Sequence, residues 1–181
     1  MKNLSIIHIE DEFEEFESFV AHVAFWLEEY WEDQGNDCVT AKTTRLNSCK
    51  ETIASWVVYQ ISTDLNPEHL VNYIFIRKKE VPEDVIQYFY DEKAFILDVL
   101  RPKPGQTKLT TSVVESLASI DPHLAKVDGE PDFTNVVMFT AHQGSDLDGL
   151  PEALPRKISK ASEFELEEFL AITLLKAVTN G

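Results

Sequence analysis

Apolar residues along this chain fall into two kinds of run. The short, nearly continuous ones, residues 5–9 (SIIHI), 94–98 (AFILD) and 135–140 (NVVMFT), have the pattern of parallel strands covered on both faces. Each stops at a polar side chain: Glu10 after the first, Asp98 on the second, Thr140 on the third. The other kind repeats every three or four residues. Phe13, Phe16, Val20, Val23, Leu27 and Tyr30 predict a long helix, with Gly35 suited to its C-terminal cap. Leu166, Phe169, Leu170, Thr173, Leu174 and Ala177 predict a final helix over 162–178, with Ser162 as its N-cap.

The intervening segments are less regular. Residues 35–50 are polar and predict a loop, whereas 52–62 and 70–78 are rich in β-branched and aromatic residues and predict a hairpin or two adjacent strands. Pro82 and the acids after it predict a short helix within 81–93; a further helix is expected over 107–120 and a loop through DGEPD. Gly144, Gly149, Pro151 and Pro155 allow only a short helix in 141–155, and RKISK (156–160) is a short last strand. Strands alternating with helices define an α/β fold, a doubly wound parallel sheet with helices on both faces. No repeat, low-complexity tract or linker divides the chain, so a single domain over 1–181 is expected.

Composition narrows the function classes. A hydrophobic fraction of 44% in 181 residues is enough for a sizeable core. The net charge of −16 repels phosphate backbones and anionic lipid, and RKK at 77–79 is too short to offset it, so nucleic-acid and membrane binding are not expected. Hard cations and basic patches on other proteins suit such a surface. No apolar run approaches the ~20 residues that span a bilayer, and the acidic start is unlike a signal peptide, which together predict a cytoplasmic protein. Cys38 and Cys49 lack metal or redox spacing and read as ordinary thiols.

In a sheet of this kind the functional crevice lies beyond the carboxyl ends of the strands, which here bring together Glu10, Asp11, Asp98, Thr140 and Lys160. Carboxylates about 4 Å apart repel by roughly 4 kcal/mol per pair at an effective dielectric near 20, so three of them require protons or a cation. An all-oxygen donor set with few carboxylates favours Mg²⁺.

This ordered set resembles the receiver domains of two-component response regulators. The fragments that carry it are IIHIEDE with Glu10 and Asp11, FILDVLRP with Asp98 four residues before a proline, VVMFTA with Thr140, and Lys160 in RKISKASEFELEEFL. The resemblance implies a CheY-like, flavodoxin-like five-stranded sheet with an inserted hairpin-like elaboration at approximately 41–70. It implies a stand-alone, non-enzymatic phosphoacceptor in a phosphorelay, which takes a phosphoryl group from a histidine kinase or histidine phosphotransfer protein onto Asp98 and signals through an output partner. Mg²⁺ would be held by Glu10, Asp11, Asp98 and the Leu100 carbonyl. Thr140 and Lys160 would serve catalysis and switching, with Lys157 the alternative lysine, and His142 would adjust the lifetime of the phosphate. Two departures bear on the switch: Ala161 follows Lys160 where the family has proline, and Lys157 stands where it has an aromatic residue. They leave open a receiver-derived interaction module that works without phosphorylation.

Other residues have plainer readings. His8, inside an apolar strand, is a packed core histidine. Phe13, Phe16, Phe19, Trp26, Tyr30 and Trp31 exceed one core face, and with Trp56 and Tyr59 they suggest either a partner surface or internal packing of the inserted segment.

Overall fold

The computed structural model describes residues 2–10, 16–48, 55–77, 80–98, 109–140, 154–160 and 162–179. Strand β1 (Leu4–Ile9) is buried along its whole length because parallel partners flank it on both sides, β4 (Val71–Ile76) and β5 (Glu92–Asp98). Beyond β5 lie β8 (Val136–Thr140) and β9 (Arg156–Ser159), also parallel. The parallel strands thus run β4-β1-β5-β8-β9. Numbered among themselves along the chain, their order is 2-1-3-4-5, compatible with a flavodoxin-like fold.

Two antiparallel strands extend this sheet past β4, making seven strands in all: β3 (Trp56–Thr63) pairs with β4, and β2 (Ala41–Ser48) forms the edge. The sheet is therefore mixed: five parallel strands are widened by an antiparallel pair that falls within the insertion expected at approximately 41–70. The hairpin expected from 52–62 and 70–78 forms as β3 and β4, with Trp56 opposite Ile76 and Ile61 opposite Val71. The loop expected over 35–50 is corrected, since its second half, from Ala41 to Ser48, is β2. Lys42 through Leu46 are exposed on both sides of the pleat, so this strand is held by backbone pairing and shows no alternating apolar signal.

Helices cover both faces. On one, α1 (Phe16–Asp33) and α3 (Glu163–Thr179) bury Val20, Val23, Leu27, Leu166, Leu170 and Leu174 against β1, β4 and β8. Each such side chain contributes about 2 kcal/mol of burial. The six residues expected on the inner face of α3 are all buried, and Thr173 offsets its polarity by donating to the Phe169 carbonyl at 2.8 Å. Gly35, with φ +87°, takes the left-handed cap after α1 and donates to the Glu32 carbonyl. The other face carries α2 (Leu109–Ile120) and a 3₁₀ turn, Glu83–Tyr88, entered through Pro82, and packs Leu117, Ile120 and Val85 over Ile7, Ile74 and Phe95.

After α2 the chain builds a small separate hairpin, β6 (Lys126–Val127) and β7 (Glu130–Pro131). Asp128 and Gly129 both have positive φ, the requirement of a two-residue type I′ turn, so the DGEPD segment expected as a loop contains a hairpin.

Of the aromatic residues singled out, those with described side chains settle inward, while Phe13 lies outside the described residues. Phe19 and Trp56 are buried, and Trp26, Tyr30, Trp31 and Tyr59 pack against the α1 side of the sheet. Trp56 also donates to Asp84 Oδ2 at 3.2 Å. The partner surface expected at Trp56 and Tyr59 is accordingly replaced by the alternative reading, in which these rings fasten β2 and β3 to the rest of the protein. Phe25 on α1 instead points to solvent. No helix among the described residues is long and apolar enough to cross a membrane.

Candidate functional site

Strand β1 sits where the chain changes direction across the sheet. After β1 the chain builds β2, β3 and β4 on one side, then crosses to β5, β8 and β9 on the other. The crevice of such a sheet opens at the carboxyl ends of the strands flanking that point. Register aligns those ends: Ile9 lies opposite both Ile76 and Leu97, Asp98 opposite Phe139, and Thr140 opposite Ser159. The residues that terminate β1 and β5, and the one after β9, therefore emerge at one edge.

Three of them meet. Lys160 Nζ donates to Glu10 Oε2 at 2.8 Å and to Asp98 Oδ2 at 2.9 Å. Both carboxylates are almost wholly buried, with side-chain exposures of 7% and 6%, while the lysine keeps 24%. Glu10 is fixed through its backbone, which donates to the Ile76 carbonyl at 3.0 Å and so prolongs the ladder with β4. The Lys160 ammonium also lies 5.9 Å from the centre of the Phe139 ring, an apolar wall that the sequence presents as an ordinary core residue of a strand.

The charge balance is uneven, because one ammonium faces two buried carboxylates. Burial, then the hydrogen bond and charge of Asp98, push the Glu10 carboxyl up to about 9 in spite of Lys160. For Lys160, burial works against the charged form, but hydrogen bonds and attraction from Asp98 and Glu10 outweigh it and carry the ammonium up to about 12. At neutral pH the trio thus holds a proton on Glu10 and is balanced. A cation arriving at the carboxylates would take the place of that proton.

Under the site, on the α1 side of β1, His8 and Tyr73 form a buried pair with Nδ1 and Oη 2.7 Å apart. The rings of Phe19 and Phe75 stand 5.6 and 5.5 Å from the imidazole. Burial, reinforced by the charge of Lys160, lowers His8 to about 3, and burial together with Glu10 pushes the Tyr73 hydroxyl well above its ordinary value. His8 is the core histidine its apolar strand implies, whereas Tyr73 reads from sequence only as a strand aromatic.

Of the residues expected at the site, Glu10, Asp98 and Lys160 are brought together. Lys157 lies within β9 opposite Met138, and its side chain is exposed. Thr140 ends β8 at the same edge. Asp11, Leu100 and His142 lie outside the described residues. Among the described residues no group of three or more His, Cys, Asp or Glu side chains is placed to hold a metal ion; the third carboxylate of the expected set is Asp11. No protein-family model, curated protein or solved structure matches this chain. The fold and site together define an α/β protein with a mostly parallel sheet and an acidic, lysine-bridged crevice at its carboxyl edge.

Proposed function

We propose that the protein is a receiver-like phosphoacceptor, taking a phosphoryl group from a phosphohistidine donor onto Asp98. The single observation that carries this reading is the Lys160 ammonium bridging Glu10 and Asp98 at the carboxyl edge of strands ordered β4-β1-β5-β8-β9. In the transfer an Asp98 carboxylate oxygen attacks phosphorus and the P–N bond to the donor imidazole breaks. The imidazole leaves with the electron pair. Lys160, already within hydrogen-bonding distance of Asp98, pairs with a phosphoryl oxygen, and Thr140, one strand away, donates to another.

The donor set fits Mg²⁺. Glu10 and Asp98 offer only oxygen and share one ammonium, and burial, with the hydrogen bond and charge of Asp98, raises the Glu10 carboxyl. These two would hold the ion together with Asp11 and the Leu100 carbonyl. Bound there, Mg²⁺ supplies positive charge that neutralises the phosphoryl oxygens. The donor is a histidine kinase or histidine phosphotransfer protein, and the signal leaves through a separate output partner.

Intact mass after incubation with acetyl phosphate and Mg²⁺ tests the reading. One added phosphoryl group in the wild type, absent from Asp98→Asn, is expected. A protein that gains no adduct and does not respond to beryllofluoride in its hydrogen exchange would instead be a receiver-derived interaction module.

A further inference from the structure

On the face of the sheet opposite α1, the arm that follows α2 folds back beside it and leaves a groove of about 500 Å³. Val114, Leu117 and Ala118 of α2 form one wall, and Pro131 and Phe133 of the arm form the other. The α2 residues recur at i, i+3 and i+4, with Asp121 next at i+7, so the wall runs along the helix for about 10 Å at 1.5 Å per residue. Val114 is 46% exposed although apolar, and Phe133 packs against the core formed by Ile7, Ile74, Phe95 and Ile120. The groove is thus an apolar trough with a fixed floor, open along a helix axis.

Its rim is acidic. Asp121 and Glu130 line it, and the arm from 121 to 132 carries Asp121, Asp128, Glu130 and Asp132 against one lysine, Lys126. That lysine is paired with Asp121, which leaves Glu130, exposed on β7, to set the sign of the rim. An apolar trough about two helical turns long with an acidic border is complementary to an amphipathic helix that carries cations beside its apolar stripe. A second copy of this chain is opposed by its charge of −16. Residues 141–153 are opposed as well, since they contain Asp146, Asp148 and Glu152 and no lysine or arginine.

We infer that the groove between α2 and the β6–β7 arm docks a basic amphipathic helix of a partner protein. Docking here is separate from the crevice at Asp98 and does not require phosphoryl chemistry. The apolar side chains of the partner enter between Leu117 and Phe133, while its lysines or arginines meet Glu130 and the neighbouring acids.

The probe is a labelled leucine–lysine peptide of about 14 residues, with leucines at i, i+3, i+4 and i+7, titrated against the full chain at about 0.15 M salt. A scrambled peptide of the same composition controls for general attraction to an acidic surface. The helical peptide should bind at least about tenfold more tightly than the scrambled one and protect amides within 114–133 from exchange. Val114→Lys and Glu130→Lys should each weaken it about tenfold without changing the thermal melt, because both side chains are solvent-exposed. Equal binding of the scrambled peptide, indifference to both substitutions, or protection confined elsewhere would overturn the inference. So would a dimer in sedimentation that Val114→Lys dissociates, or a gain in peptide affinity on Leu147→Lys and Leu150→Lys, which would make the occupant a second copy or the chain's own segment.

Discussion

Lys160 Nζ donates to Asp98 Oδ2 at 2.9 Å across 62 residues of sequence, and the same ammonium holds Glu10 at 2.8 Å. Removing it would leave the buried Asp98 carboxylate and Glu10 carboxyl without their cation. Deleting one partner of a fully buried pair costs about 3–5 kcal/mol; with the lysine a quarter exposed, Lys160→Met should lose about 2 kcal/mol at pH 8. Lys157→Met, at an exposed position of β9, should stay within about 0.5 kcal/mol. Urea unfolding of the two variants makes the comparison, and equal midpoints would refute the bridging role.

Stability should fall as pH rises from 6.5 to 9. The folded protein binds the Glu10 proton more tightly than the unfolded chain, its carboxyl moving from 4.5 to about 9, so this contribution is complete below 4.5 and is lost as pH rises through 9. His8 acts in the other direction. Its value drops from 6.5 to about 3, so the folded state loses stability as pH falls below 6.5. Lys160, moving from 10.5 to about 12, loses its contribution only above that window. Glu10→Gln should therefore flatten thermal melts between pH 6.5 and 9. In the wild type, Mg²⁺ should raise the melting temperature more at pH 8.5 than at pH 5.5, where protons compete with it.

Asp98→Asn should bring the Glu10 carboxyl down toward its ordinary range, since the Asp98 charge is removed while Lys160 stays in place. Burial still opposes ionisation, so the return is partial. The decline in stability between pH 6.5 and 9 should be shallower than in the wild type, and no phosphoryl adduct should form. An unchanged pH profile would mean that burial alone raises Glu10.

The parallel part of the fold was legible because both faces of each strand are covered, so SIIHI, AFILD and NVVMFT appear as unbroken apolar runs. Strand β2 was hidden for the opposite reason: at the edge of the sheet its side chains from Lys42 to Leu46 face water, and of these only Thr43 and Thr44 carry a β signal. The aromatic surplus on α1 was visible, but its direction depended on where β2 and β3 lie, which spacing along one helix does not encode. Glu10, Asp98 and Lys160 could be placed together because parallel strands start and end in step. The Asp128–Gly129 turn carried its own hairpin signal, which the short flanking strands, two residues each, obscured.

The His8–Tyr73 pair supplies a sharper test of the core beneath the crevice. Nδ1 and Oη are hydrogen-bonded at 2.7 Å in full burial, and His8 Nε2 has no hydrogen-bond partner among the described residues. Tyr73→Phe removes the hydroxyl that pairs with Nδ1 and leaves a buried polar nitrogen without it, a loss of about 1–3 kcal/mol. His8→Phe strands the Tyr73 hydroxyl in the same way and places a phenyl among Phe19, Phe75 and Tyr73, where part of the loss returns as apolar burial. The double variant leaves no buried polar atom of the pair unsatisfied. It should therefore be more stable than the Tyr73→Phe single variant, giving a double-mutant cycle with a coupling of about 1 kcal/mol or more. Urea unfolding at pH 7, where His8 is neutral, reads the cycle directly. Additive losses would show that the two side chains contribute by shape alone and that their hydrogen bond does not stabilise the strand that carries Glu10.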